Sequence, residues 1–277
     1  MISFAKILAS NTVPKMRIIC RLSHSLEVNR ERWKEYLDIS ESCDEELQRT
    51  LVKDMTVIEE FLSDDEENSL FQELEPYMKK LHYEFDHWDD AIHGYRETER
   101  LQWNKSNTII LDRVRNIAFP PGTPQLKLVH VLDLTEEGYI KPHIDSVRFC
   151  GNTIAGLSLL TDCVMRLAHH KQKEITANVL LKRKSLYIMK GIARFDFTHE
   201  ILPNDCSKFR DGIIHKGRRV SVICRNEPSG EQSVLCLIPR LMSMERQRHS
   251  LLNKSNRRTH SLSHIRTANQ PAYKVTD

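Results

Sequence analysis

Apolar positions in this 277-residue chain recur at two periods, and the change from one to the other divides it. Ser63-Asp64-Asp65-Glu66 spells a capping box, in which a serine hydroxyl and a glutamate carboxylate satisfy the first free N–H groups of a helix. Leu70, Leu74, Tyr77, Met78 and Leu81 then fall near helical spacing and predict a helix over 64–80. Ile109, Ile110, Leu111 and Val114 predict a second over 104–114, stopped near Pro120-Pro121-Gly122. Past that turn the apolar residues come in short β-like runs: Leu126–Leu134, Thr153–Thr161, Met165–Ala168, Val179–Leu181, Ser185–Met189, Phe195–Ile201 and Arg219–Cys224. Many short strands so spaced indicate a sandwich or barrel, mainly β, with the helices packed outside it.

The two ends read differently. Residues 1–26 carry Lys6, Lys15, Arg17 and Arg21, several Ser and Thr, and no acid, the composition of a mitochondrial presequence; a disordered or alternatively initiated N-terminus is the competing reading. From Glu27 to Thr56 acids outnumber bases nine to five, so that character ends, and 27–56 reads as a linker. After Glu227 core periodicity fades, apart from Val234–Ile238, and 227–277 reads as a basic, disordered tail. Such a tail suits either RNA or anionic lipid, or is an unselected solvated extension.

Charge sharpens the picture. Residues 57–226 hold 24 Lys+Arg against 25 Asp+Glu, and the tail 8 against 4, so the net charge of +3 does not come from the central segment. That weakens a nucleic-acid substrate held through phosphate contacts. No run of 18 apolar residues predicts a membrane span. Seven cysteines without a C-x-x-C pair give no support to a disulfide framework or a zinc knot.

The candidate chemistry lies in the strands. In Tyr139-Ile140-Lys141-Pro142-His143-Ile144-Asp145 the histidine and aspartate sit two apart, so on an extended strand they project to one face and can reach one ion. His199, in an apolar-flanked run, can supply a second imidazole. Two histidines and a carboxylate on one face of an octahedron are the ligand set of non-haem Fe(II) oxygenases. Alone, H-x-D is a weak motif, and His199 alone reads better as a structural histidine. The next run shifts that balance. In Arg219-Val220-Ser221-Val222-Ile223-Cys224-Arg225 the side chains alternate, placing Arg219, Ser221, Ile223 and Arg225 on one face and Val220, Val222 and Cys224 on the other. An arginine facing a barrel interior needs an anion, and its fork matches a carboxylate, so a dicarboxylic co-substrate would fit.

The order H-x-D, distant His, then R-x5-R resembles the AlkB branch of the Fe(II)/2-oxoglutarate dioxygenases. Stretches such as Ala91-Ile92-His93-Gly94-Tyr95-Arg96-Glu97-Thr98-Glu99, Gly138-Tyr139-Ile140-Lys141-Pro142-His143 and Thr153-Ile154-Ala155-Gly156-Leu157-Ser158 are most similar to its mitochondrial branch. The resemblance covers about Val57 to Arg225 and implies a double-stranded β-helix, or jelly-roll, barrel. It further implies Fe(2+) held by His143, Asp145 and His199, with 2-oxoglutarate and O2 as co-substrates. Tyr187, Arg219, Val220, Ser221 and Arg225 are the implied co-substrate contacts, with Arg219 on the remote carboxylate and Arg225 nearer the metal, steadying Asp145.

Two departures from the family bear on the substrate. Nucleotide-repairing members carry Asn-x-Tyr on the strand before H-x-D, where this chain has Val131-Leu132-Asp133-Leu134. They also place aromatic and basic loops before the barrel to hold a flipped base; between Trp103 and Val129 this chain offers one helix and a proline turn. His82, Tyr83, His87 and Trp88 form an aromatic cluster suited to covering the site or to packing on the first helix. The expectation is a dioxygenase of the mitochondrial matrix acting on a protein side chain, linked by resemblance to mitochondrial (fatty acid) metabolism and regulated necrotic cell death. The alternatives are a demethylase of methylated bases in mitochondrial RNA, and a non-catalytic barrel that senses iron or 2-oxoglutarate.

Overall fold

The first predicted helix forms where its capping box stands. In the computed structural model, which describes residues 32–85 and 91–228, helix α2 spans Asp64–Met78. Ser63 Oγ accepts from the Glu66 N–H at 3.2 Å, and Glu66 Oε2 accepts from the Ser63 N–H at 3.0 Å. Leu70, Leu74 and Met78, four residues apart, are buried on one stripe. Helix α3, Lys105–Ala118, is capped by Asn104 and runs four residues beyond its predicted end. It stops because Phe119 precedes Pro120, and a residue before proline is pushed out of the helical region into the extended one. Residues 1–26, nearly all of 227–277, His87 and Trp88 lie outside the described residues.

The strands form an antiparallel sheet that folds over itself through β4, Val129–His143. The first half of β4 lies between β3, Ile92–Arg100, and β12, Arg219–Arg225. From β12 that layer continues through β5, Thr153–Leu159, and β8, Leu186–Lys190, to β2, Met55–Ile58. The second half of β4 pairs with β9, Phe197–Ile201, and so enters a second layer. That layer continues through β6, Cys163–His169, and β7, Thr176–Leu181, to β1, Leu37–Ile39. This is the jelly-roll barrel. Leu132, Leu134, Ile154, Met165, Leu167, Val179 and Tyr187 meet between the layers, while Val131, Leu157, Ile188, Val220 and Val222 turn outward under α2 and α3. A smaller cluster of Val164, Leu180, Leu202 and Phe209 covers the outside of the second layer, beside the short hairpin of β10, Lys208–Phe209, and β11, Gly212–Ile213.

Three expectations change. The interval 27–56 is not a linker from Arg32 onward: it contributes the edge strands β1 and β2 and, between them, helix α1, Glu45–Asp54, capped by Asp44. Second, β3 is absent from the predicted strands. Third, the run Phe195–Ile201 is split. A one-turn helix α4, Gly191–Phe195, precedes β9, because Gly191 takes φ +50° and the Asp54 carboxylate accepts from the Ile192 N–H at 3.0 Å, charging the helix start favourably. Any Cβ at Gly191 would meet Asp54 Oδ2 at 2.1 Å, so the close approach requires glycine.

Candidate active site

His143 closes β4, and the way it faces inward depends on an irregularity. Ile140 pairs with Ile201 and His143 with His199, so three residues on β4 oppose two on β9. In a regular strand, positions 140 and 143 would face opposite sides; the extra residue puts both against one cavity. Pro142, which has no N–H for the ladder, sits within that bulge. The chain then leaves the strand, and Asp145 comes from the following loop.

The three side chains converge. Asp145 Oδ1 is 3.3 Å from His143 Nε2 and 3.8 Å from His199 Nε2, the two imidazole centroids are 4.2 Å apart, and one donor atom from each residue falls within 4.8 Å of the others. His143 Nδ1 lies 2.9 Å from the Lys141 carbonyl, which only accepts, so Nδ1 carries the proton and Nε2 offers its lone pair to the shared centre. Burial opposes charge on Asp145, but its contacts with His143 and His199 and the charge of Arg225 hold its carboxyl well below the usual range. Burial, reinforced by His143, depresses His199 to about 4 against the pull of Asp145, so this ring is neutral at physiological pH. An ionised carboxylate and a neutral imidazole are protonation states that suit a divalent cation. The donor set therefore fits iron.

The same cavity, about 130 Å³, extends from the triad to Arg219, Ser221 and Tyr187. Arg219 is 2% exposed; its Nε donates to Ser158 Oγ at 3.3 Å, and no carboxylate pairs with it among the described residues. A buried guanidinium lining an enclosed space without a counter-ion is an anion site. Tyr187 stands beside it with its phenol pushed up to about 12, burial outweighing the opposing charge of Arg219, so its hydroxyl remains a donor. Its ring lies over the cross-strand partner Gly156: a Cβ there would come within 2.4 Å of the ring. Arg225 lines the cavity at the metal end, with Nη2 4.0 Å from Glu99. Val220, expected among the co-substrate contacts, is corrected by strand alternation: its side chain packs in the outer cluster under the helices.

Several residues here escaped the sequence reading. His130 lines the cavity, and its Nε2 is 3.5 Å from Glu97, so β3 contributes Glu97 and Glu99 to the charged mouth. The signal was the E-x-E spacing of Glu97 and Glu99, which share one strand face with Glu99 directly across from His130, invisible until β3 is recognised. Tyr83 is a structural residue and covers nothing: its hydroxyl donates to Asp133 at 3.1 Å, and Arg96 stacks on its ring. Asp133, fully buried on the outward face of β4, also accepts from Arg96 Nε at 2.8 Å and from Arg218 Nε and Nη2 at 3.0 and 2.8 Å. The segment after Trp103 forms α3 and packs into the outer core, away from the cavity mouth. Cys43, Cys150, Cys163, Cys206 and Cys224 are free thiols.

Comparison with known proteins agrees with this geometry. The profile of the 2OG-Fe(II) oxygenase superfamily matches residues 54–225. The chain is 54% identical over 170 residues to the Mus musculus protein named "Alpha-ketoglutarate-dependent dioxygenase alkB homolog 7, mitochondrial", covering 61% of this chain and 77% of that one, with the same figures for the Bos taurus counterpart. It is 26% identical over 193 residues to the Mus musculus "tRNA (carboxymethyluridine(34)-5-O)-methyltransferase ALKBH8", covering 58% of this chain and 27% of that one.

Proposed function

Because the chain belongs to the 2OG-Fe(II) oxygenase superfamily, and within it to the AlkB family, we propose that His143, Asp145 and His199 hold the iron of a dioxygenase whose substrate is a protein side chain. The enzyme is a mitochondrial 2-oxoglutarate-dependent dioxygenase using Fe(2+), 2-oxoglutarate and O2. Iron and 2-oxoglutarate, when bound, supply an oxidant for a C–H bond while 2-oxoglutarate is decarboxylated to succinate.

The chain's own residues do the positioning. The observation that carries the reading is that one cavity has three converging donors at one end and the uncompensated Arg219 at the other. Arg219 clamps the remote carboxylate, with Ser221 and the Tyr187 hydroxyl as hydrogen-bond partners. Arg225 offsets the negative charge gathered around Asp145. The apolar walls, Leu132, Ile154 and Met165 among them, exclude water and strengthen these contacts.

A protein substrate is supported by the balanced charge of residues 57–226 and by the use of 104–118 as a packed helix instead of a base-gripping lid. The reading extends to the mitochondrial matrix and, through the resemblance alone, to regulated necrotic cell death and mitochondrial fatty acid metabolism. The deciding experiment is anaerobic reconstitution with Fe(II), admission of O2 and measurement of succinate with mitochondrial extract, for wild type and His143→Ala, with oxidised products identified by mass spectrometry. Succinate dependent on His143 and stimulated by a protease-sensitive fraction is expected; equal succinate from both proteins would overturn the assignment. The likeness to a tRNA-modifying relative, together with the basic residues 227–277, favours methylated RNA as the second reading. It predicts stimulation that ribonuclease abolishes and protease spares.

A further inference from the structure

The two oxygens of Asp145 have different neighbours. Oδ1 faces the imidazoles, whereas Oδ2 faces the thiol of Cys150 at 3.8 Å. The Cys150 sulfur in turn accepts an N–H from Arg194 Nη2 at 3.2 Å, and the Ser146 carbonyl at 3.9 Å is a second acceptor within reach of the thiol. Cys150 and Arg194 are 1% and 0% exposed. The Arg194 guanidinium has no carboxylate partner among the described residues, and its Nε and Nη1 find no acceptor there. Its guanidinium carbon also lies 4.9 Å from the centre of the Phe195 ring.

As packing alone this is a costly choice. A guanidinium cannot shed its proton, and an apolar side chain of similar length would fill the same space without desolvating a charge. What distinguishes the position is the anion one thiol away. The fold fixes it there: Asp54, at the end of α1, holds the start of α4 through the Ile192 N–H, and Gly191 permits that approach. Arg194 is thereby presented to the back of the loop carrying Asp145 and Cys150.

We infer that Cys150 and Arg194 are positioning residues for the metal carboxylate. Arg194 donates to the Cys150 sulfur, and the Cys150 thiol donates to Asp145 Oδ2, so Asp145 turns only Oδ1 toward the cation. A carboxylate held in this way ligates through one oxygen and leaves open the coordination positions that co-substrate and O2 require. The inference rests on the proposal that His143, Asp145 and His199 are the metal ligands.

The test is titration of the full chain with Co(II), whose d–d absorption reports coordination number and needs no turnover. Wild type, Cys150→Ala, Cys150→Ser, Arg194→Met and His143→Ala are compared, with thermal melts of the metal-free proteins. Cys150→Ala is expected to bind Co(II) roughly 10- to 100-fold more weakly and to alter the d–d spectrum, as loss of an outer-shell partner does. Cys150→Ser, which keeps a donor and an acceptor, restores the wild-type spectrum, and Arg194→Met behaves like Cys150→Ala. Wild-type affinity and spectrum in Cys150→Ala, or a Cys150→Ser as impaired as Cys150→Ala, overturns the relay; either result is readable even if Arg194→Met does not fold. Co(II) binding by His143→Ala as tight as by wild type instead overturns the ligand assignment itself.

Discussion

His143 and His199 are direct partners across the β4–β9 ladder, which puts both rings on one side of it, and the bulge between Ile140 and His143 makes that side the cavity. The spacing of the two imidazoles is thus fixed by backbone pairing, whereas the placement of Asp145 depends on a loop. Rigid placement of this kind keeps a site organised before its ion arrives.

Arg219 is the single cation at the deep end of the cavity that no described carboxylate neutralises. Arg219→Met is expected to raise the KM for 2-oxoglutarate by about 10- to 100-fold, the scale of losing a hydrogen bond to a charged group. Arg219→Lys recovers only part of this, because an ammonium lacks the two-pronged fork. Steady-state succinate assays across 2-oxoglutarate concentrations check both.

Gly156 has no room for a side chain because the Tyr187 ring occupies it. Gly156→Ala should displace that ring, costing about 1–3 kcal/mol of stability as overpacking does, and weaken 2-oxoglutarate binding. Tyr187→Phe should weaken the binding with far less effect on stability. Denaturant melts and calorimetric titration with 2-oxoglutarate under anaerobic conditions separate the two effects.

Asp133 holds Arg96, Arg218 and Tyr83 together on the far side of the sheet from the cavity. Asp133→Asn leaves the buried Arg96 without its carboxylate, while Arg218 keeps Glu75, and should destabilise the fold by about 3 kcal/mol. The midpoint of urea unfolding is the readout, and the loss should persist in high salt because the group is buried.

Lys216 is fully buried, with Nζ donating to the Thr135 and Glu136 carbonyls at 2.9 and 2.6 Å. Burial, with the like charge of Arg219, depresses it from 10.5 to about 8, although Cys163 and nearby acids pull the other way. Between those two values the unfolded chain binds a proton that the folded one does not, so stability from this group rises with pH across that window. Wild type should therefore gain on Lys216→Met as pH increases from 8 toward 10, measured by unfolding at each pH.

The sequence made strand β12 legible because both its faces are committed: one enters the cavity and the other the helix-covered core, and the text alternates accordingly. The triad was legible for a similar reason, since its residue types are rare in that order on strand-like text. Strand β3 was hidden because its cavity-side residues include Glu97 and Glu99, whose inward placement answers to the site and not to hydrophobicity. The edge strands and α1 were hidden by brevity and an acidic composition that mimics a solvated segment. The Arg194 relay had no local signal at all, since its three members lie 5 and 44 residues apart and meet only through the fold.

Strand β1 pairs with β7 through Leu37, Asp38 and Ile39, and the Tyr36 carbonyl accepts from the Leu180 N–H at 2.8 Å. Removing those residues would strip the border from one layer and expose the backbone of β7 to association with other chains. A chain truncated past Ile39 should therefore associate where one truncated before Tyr36 does not, as size-exclusion chromatography of the two proteins would show.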